Sequence, residues 1–203
     1  MTQGQSRIAN APGLWGSAAT SCHTASGTVK AHADAEAYAE LFSATIQGAS
    51  TGVVLGGALA LADSTATAAA TGVDGGAGRE LLVNEGLVDV NAAATANSLA
   101  VAATITGAVS GIGAQAALTD TSTSSTATAI GLAGGDDRDD IVNTAGAEVK
   151  SVAVAKAYAE SVSVTVQGHT TGVALAGALA RAQTTPTATA TGSAGGAGAD
   201  TIA

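Results

Sequence analysis

Along most of this chain every second residue is small or apolar, while the residues in between vary. The clearest stretch, residues 152–166, alternates strictly and is rich in Val. A period of two with many β-branched residues is typical of β-strands. Residues 31–40 contain Ala and Glu, which favour helices, but they keep the period of two and align with the stretch at 152–166. We therefore predict a strand there as well.

The chain repeats itself about every sixty residues, three times in phase. Glycines mark the start, the first third and the last third of each unit. These markers are Gly27, Gly86 and Gly146; Gly48, Gly107 and Gly168; and Gly75-Gly76, Gly134-Gly135 and Gly195-Gly196. Such repeats build stacked units in which each copy buries a surface of its neighbour. We divide the chain into an N-terminal segment (a cap or linking strand) at 1–26 and repeats at 27–85, 86–145 and 146–203.

Each repeat predicts two long strands joined by a glycine turn, then a Gly-Gly turn and a short extended return. In the first repeat the long strands cover 28–47 and 53–71, and the later second strands cover 112–130 and 173–191. At about 3.3 Å per residue, twenty residues extend about 65 Å, whereas strands in globular domains rarely exceed about ten residues. Such strands suit a wide rung that pairs with the next copy about 4.8 Å above it. The predicted fold is all-β, a wide β-solenoid of three stacked rungs.

Stacking the copies gives the first strand two different faces. One face is a ladder of alanines, such as Ala33 over Ala92 and Ala153. The other face is polar at first and becomes apolar towards the glycine turn. The apolar stripe includes Phe42, Ile46, Val162, Val164 and Val166. Two interpretations stay open: the return segment or N-terminal region covers the stripe, or the stripe is a lateral contact between solenoids.

Composition and charge limit the kind of core and the kinds of binding partner that this chain can have. Aromatic residues are 2% of the chain, so the core must consist of small side chains. The net charge of −9 opposes nucleic acid and anionic membranes and favours cations. No run of about 18 apolar residues is present, which predicts no membrane insertion. Cys22 is the single cysteine, and we expect it to be a buried small residue rather than a functional thiol.

The third Gly-Gly turn, Gly195 to Ala203, reads GGAGADTIA. It resembles the nonapeptide GGxGxDx-hydrophobic-x of hemolysin-type (RTX) calcium-binding proteins. The second turn, from Gly134, has Asp in place of the third glycine, and the first turn, from Gly75, has Glu in place of the Asp. In that family the turn binds Ca²⁺ through carbonyl oxygens and the Asp.

The resemblance implies a calcium site between the second and third rungs, because stacked turns lie about 4.8 Å apart and calcium takes six to eight oxygens. The candidate ligands are Asp137, Asp139, Asp140, Asp200, Gly195 and Gly196. The alternative is a glycine turn used for its positive φ angles, with solvated acids.

Threonines near the ends of the second strands form two predicted rows. These rows are Thr67, Thr126 and Thr187, and Thr128 with Thr189. They resemble the flat faces of solenoid ice-binding proteins, although threonine is also an ordinary strand residue.

The three histidines fall at unrelated phases of the repeat, and no Ser or Cys has a His and an acid at repeat-consistent positions. We therefore predict that the protein is not an enzyme.

The two ends suggest how the solenoid grows, since open sheet edges tend to pair. Residues 8–13 resemble residues 141–146 in sequence. Ile202 occupies the same position in the third repeat as Ile141 in the second. We hypothesise that the segment around Ile8 continues the last rung of another copy near Ile202, giving head-to-tail growth. The alternative is that residues 1–26 form a cap on a piece of a larger protein.

Together these patterns predict a non-enzymatic structural protein of the bacterial cell surface or exterior. It would assemble with itself into a filament, with calcium as a stabilising ion and surface or matrix partners. Residues 1–16 do not resemble a signal peptide, so export would need a cleaved leader, a C-terminal signal or a longer parent. The alternatives are a stalk fragment of a large RTX-like adhesin and an ice-binding protein.

Overall fold

The structure, a computed structural model, describes the backbone of residues 2–15 and 21–203 and the side chains of residues 22–203. The described residues form eleven β-strands and no helix. In chain order they are β1 (Thr2–Trp15), β2 (Ser21–Ala25), β3 (Thr28–Gln47), β4 (Ser50–Asp74), β5 (Glu80–Asn84), β6 (Leu87–Thr106), β7 (Val109–Asp136), β8 (Asp140–Asn143), β9 (Glu148–Gln167), β10 (Thr170–Ala197) and β11 (Thr201–Ile202). The all-β prediction is confirmed.

The described strands form three parallel sheets that run the length of the stack. The long sheet has the order β1-β4-β7-β10, the facing sheet β3-β6-β9 and the short sheet β11-β8-β5-β2. Each strand pairs with the equivalent strand of the next repeat: Thr28 lies beside Leu87, and Leu87 lies beside Glu148. The three repeats are therefore three rungs of a β-solenoid, numbered 1 to 3 along the chain.

Within a rung the two long strands lie opposite each other rather than side by side. β3 ends at Gln47, and Gly48-Ala49 turn the chain back into β4. The faces that meet consist mainly of small residues, so each layer buries little area and the stability must come from many stacked layers. The buried alanines of the two sheets include Ala33, Ala35, Ala37, Ala92, Ala94, Ala96, Ala66, Ala68, Ala70, Ala127 and Ala129. The predicted alanine ladder is confirmed.

Glycines allow the sheets and the rungs to approach closely. A Cβ on Gly131 of the long sheet would overlap a methyl group of Val149 in the facing sheet. At the corner between the short and facing sheets, a Cβ on Gly86 would overlap the carbonyl oxygen of Gly27 in the rung before it. Gly86 and Gly135 are thus markers of the repeat at which the backbones of adjacent rungs touch, which only a residue without a side chain permits.

The second long strands extend further than the sequence predicted. β4 begins at Ser50 and continues to Asp74, and β7 runs into the Gly-Gly pair to end at Asp136. The parallel pairing of stacked copies continues through these positions, with Gly196 beside Gly135. The glycines therefore bend the rung without interrupting the ladder between rungs.

The N-terminal segment adds a partial rung, which the sequence placed in the wrong phase. Ile8 pairs with Thr67, whereas His23 is the residue in register with Leu82 and hence with Ile141 and Ile202. The six-residue similarity was misleading because β1 pairs with β4 along nearly its whole length, and this longer ladder sets the register. The side chain of Ile8 lies outside the described residues.

Candidate functional site

A column of acids runs along the corner between the long and short sheets. Glu80, Asp139 and Asp200 occupy the same position in rungs 1, 2 and 3. The backbone N–H of Glu80 donates to Oδ1 of Asp139 at 2.9 Å, and the N–H of Asp139 donates to Oδ1 of Asp200 at 3.0 Å. Each Asp therefore binds the backbone of the preceding rung and stabilises the stack.

The side chains of this acid column are buried in rungs 1 and 2. Glu80 is 2% exposed and Asp139 is 0% exposed. Both carboxylate oxygens of Glu80 and Oδ2 of Asp139 lack a hydrogen-bond partner within the described residues. Burial and the neighbouring Asp139 carboxylate, with a further contribution from Asp137, raise the pKa of Glu80 from 4.5 to about 7. A proton on Glu80 is therefore favoured in the folded state.

The structure spreads the predicted calcium ligands over different surroundings. Asp139 is buried, whereas Asp137 is exposed with a φ of 76°. Asp140 lies 3.8 Å from the guanidinium of Arg79. No group of three or more His, Cys, Asp or Glu side chains able to hold a metal ion is present among the described residues.

The two glycines of the predicted site serve the turn itself. Gly195 lies against the Asp200 carboxylate so closely that a Cβ would be 2.5 Å from Oδ2, and Gly196 has a φ of 98°. Such a φ favours glycine. Calcium binding stays a prediction of the sequence.

A second column, of asparagines, lies at the next corner. The side-chain amide of Asn84 donates to Oδ1 of Asn143 in the following rung at 2.7 Å, and Oδ1 of Asn84 accepts the N–H of Gly86 at 3.2 Å. Asn84 is fully buried. This column was not predicted, although Asn84 and Asn143 stand two and three residues before the glycines that open repeats 2 and 3 and could have indicated it.

The opposite end of each rung, which we call the apolar tip, comprises residues 41–60, 100–119 and 161–180. Its outer surface is apolar on both sheets. On the facing sheet the exposed side chains include Phe42, Ile46, Ile105, Val162, Val164 and Val166, and on the long sheet Val53, Leu55, Leu59, Ile112, Leu118, Val173, Leu175 and Leu179. The described residues leave the predicted stripe exposed, so the return segments do not cover it.

The interior of the apolar tip combines small apolar side chains, such as Ala60 and Ala102, with hydroxyl groups. Threonine hydroxyls on the facing sheet donate across the interior to backbone carbonyls of the long sheet. These bonds join Thr45 to Gly57 at 2.6 Å, Thr104 to Ala116 at 3.1 Å and Thr165 to Gly177 at 2.9 Å. Short side chains that reach the opposite backbone hold the two sheets close together. The alternation along the chain predicted only the apolar outer stripe and not this column.

The threonine rows lie on the outer face of the long sheet, beyond the apolar tip. Thr67 pairs with Thr126 and Thr126 with Thr187, while Thr128 pairs with Thr189. The predicted register of both rows is therefore confirmed.

Rung 3 leaves one end of the solenoid open. Ala117 and Ala127 of rung 2 are 0% exposed, whereas the equivalent Ala178 and Ala188 of rung 3 are exposed. The strands of rung 3 also have no pairing partner on their outer side within the described residues. A cross-section of the core, with its backbone donors and acceptors, is thus presented at this end.

Cys22 is exposed, so the expectation of a buried cysteine is wrong; β2, which contains it, is an edge strand of the short sheet. His32 binds the carboxylate of Asp34 at 2.7 Å on the exposed face.

A membrane-spanning helix, long and apolar enough to cross a bilayer, is absent from the described residues.

Comparison of the chain with protein-family models, with curated proteins and with solved structures found no match. The likeness to RTX repeats therefore rests on the Gly-Gly turns alone.

Proposed function

We propose that this protein is a non-enzymatic structural subunit that assembles head to tail into a filament. The observation that carries the proposal is the open end at rung 3, where alanines equivalent to buried core residues are exposed. An uncovered, long and flat edge readily pairs with another strand. A second copy supplies strands with the same repeat and the same spacing.

The N-terminal partial rung is the surface that fits this end in register. If the stack continues, β1 of one copy pairs with β10 of another, and Ile8 lies beside Thr187. In the same register β2 meets β11, and His23 lies beside Ile202. This replaces the direct contact between Ile8 and Ile202 that the sequence predicted. Because the two surfaces differ, the contact is heterologous and does not close on itself, so growth is open-ended.

The test uses two matched substitutions on the same face of β10. Ala188→Lys places a charge at the register of Arg7, inside the proposed contact. Ala178→Lys places the same charge at the register of Ala58, which β1 does not reach. Both alanines are exposed in the single subunit, so both variants should fold, as circular dichroism would verify. Electron microscopy should show filaments for the wild type and Ala178→Lys, and none for Ala188→Lys.

Other outcomes are equally informative. Loss of filaments in both variants would mean that rung 3 pairs directly with rung 1 of the next copy and displaces residues 2–25. Filaments in both variants, or a monomeric wild type at high concentration, would overturn head-to-tail stacking and favour the stalk of a larger adhesin. Repeating the wild-type measurement with calcium and then with a chelator tests whether the ion stabilises the filament.

A second candidate, ice binding, is favoured by the register of the threonine rows. Flat rows with a spacing of about 4.8 Å on the outer face of the long sheet are the feature that resembles ice-binding solenoids. Thermal hysteresis that is lost in Thr128→Leu or Thr189→Leu would support this function, and its absence in the wild type would remove it.

A further inference from the structure

We propose that the apolar tip is a lateral interface that joins neighbouring filaments, and that it acts only after subunits have stacked. The inference rests on the proposed head-to-tail assembly. It concerns a different surface of the molecule, the outer faces of residues 41–60, 100–119 and 161–180. The partner is a second filament of the same chain.

The distribution of polarity argues that the tip is a binding surface. Leu55 and Leu175 are 73% and 70% exposed, and Ile46 is 76% exposed, while the interior at this end is bridged by hydroxyl groups. Exposed apolar side chains in contiguous rows mark a site of interaction. Because both outer faces of the tip are apolar, a filament has two such surfaces and can have a neighbour on each side.

A lipid bilayer is a poor partner for this surface. The tip includes the edges of β10 and β3, whose backbone groups have no strand on their outer side within the described residues. Unpaired backbone groups are costly in hydrocarbon, which tolerates only helices and closed sheets. A protein surface can accept apolar rows without burying these edges, because the rows lie on the faces of the sheets.

The shape of the rows fits a second copy of the same solenoid. On the long sheet a groove follows Gly57, Ala116 and Gly177, between a row of Leu59, Leu118 and Leu179 and a row of Leu55, Ala114 and Leu175. On the facing sheet a ridge follows Ile46, Ile105 and Val166. Ridge and groove both run along the stacking axis and repeat with each rung. We therefore place the ridge of one filament in the groove of its neighbour, a packing of sheet face on sheet face.

The size of the surface explains why stacking must come first. Eleven residues of the long sheet and three rungs give a footprint of roughly 36 by 14 Å, or about 500 Å². An interface of standard size buries about 800 Å² on each partner. One subunit therefore falls short, whereas two stacked subunits exceed this area. Lateral binding should thus be weak for single subunits and strong for filaments, because linked contacts add.

The experiment compares two double variants of β9 by electron microscopy. Val164→Ser with Val166→Ser replaces two exposed apolar side chains of the tip, one of them in the ridge, and Val152→Ser with Val154→Ser makes the same changes on the same face of β9 outside the tip. Wild type and the Val152/Val154 control should form bundles or ribbons, while the Val164/Val166 variant should form mostly single filaments of the same length. Bundles in the tip variant, or single filaments in the wild type, would overturn the lateral interface and leave head-to-tail assembly standing.

The order of assembly is tested with Ala188→Lys, which is expected to block stacking. Light scattering after gel filtration should find this variant monomeric over the concentration range in which the wild type forms bundles. A lateral dimer of Ala188→Lys would overturn the requirement for stacking. Absence of filaments from the wild type would overturn the proposed function, and the lateral inference with it.

Discussion

The backbone N–H of Glu80 donates a 2.9 Å hydrogen bond to the carboxylate of Asp139, a residue 59 positions later in the chain but adjacent in the stack. The side chains of the same two residues are buried. One pair of residues thus both joins two rungs and brings two acids together. The same position continues to Asp200, so hydrogen bonds of this column link all three rungs.

We expect the solenoid to lose stability as the pH rises from about 4.5 to about 7. The pKa of Glu80 is raised in the folded state from 4.5 to about 7, so the folded chain holds this proton more tightly than the unfolded chain. The contribution to stability is fully present below pH 4.5 and is lost as the pH rises through 7. Thermal unfolding at several pH values, compared with Glu80→Gln, would measure this; an equally steep decline in the variant would contradict the assignment to Glu80.

Replacing Asn84 by Ala should destabilise the fold by about 1–3 kcal/mol, because it removes two hydrogen bonds of a buried amide, each worth about 0.5–1.5 kcal/mol. The affected groups are Oδ1 of Asn143 and the N–H of Gly86. Chemical denaturation of Asn84→Ala measures the loss. Asn143→Ala serves as a comparison, since Asn143 is exposed and should matter less.

Gly86→Ala should prevent the wild-type stacking of rungs 1 and 2, because the added Cβ overlaps the carbonyl oxygen of Gly27. The expected loss is roughly 3 kcal/mol or more, as for overpacking that moves the backbone. Gly48→Ala is the matched control, because a Cβ there meets nothing within 4 Å. Equal melting temperatures for the two variants would show that the corner can move apart without cost.

Thr104→Val should cost about 1 kcal/mol, or about 2–4 °C in melting temperature for a chain of this size. The substitution keeps the shape of the side chain but removes the 3.1 Å hydrogen bond to Ala116 inside the apolar tip. Thr126→Val makes the same change on the outer face of the long sheet and should alter stability by less than about 0.5 kcal/mol. A more stable Thr104→Val protein would mean that the interior of the tip is not held by these hydroxyls.

The sequence was sufficient to predict the solenoid, because the period of two within each strand and the repeat of about sixty residues can both be read directly from the order of the residues. Ala33, Ala92 and Ala153 stand at equal phases, and this alone predicts that they stack. The same logic predicted the pairing of Thr126 with Thr187.

What the sequence did not predict depends on how the two long strands of a rung lie against each other. The bond from Thr45 to Gly57 requires the relative position of the facing and long sheets, which no repeat marker encodes. The predicted position of Ile8 in the repeat was wrong for a related reason. Pairing along nearly the whole length of β1 sets the register, and six residues of sequence similarity did not reveal it. The burial of Glu80 was also hidden, since an acid in a glycine turn is ordinarily solvated.

The wide rung has a consequence for how the chain folds. Every ladder between long strands joins residues 59 or 61 apart, as Ser50 with Val109 and Val109 with Thr170. In a chain of 203 residues the ladder contacts alone span about 0.3 of the chain length, and non-local contacts of this kind slow folding. We therefore expect refolding to be slow and to proceed by addition of one rung onto another, with the first completed rung as the limiting nucleus.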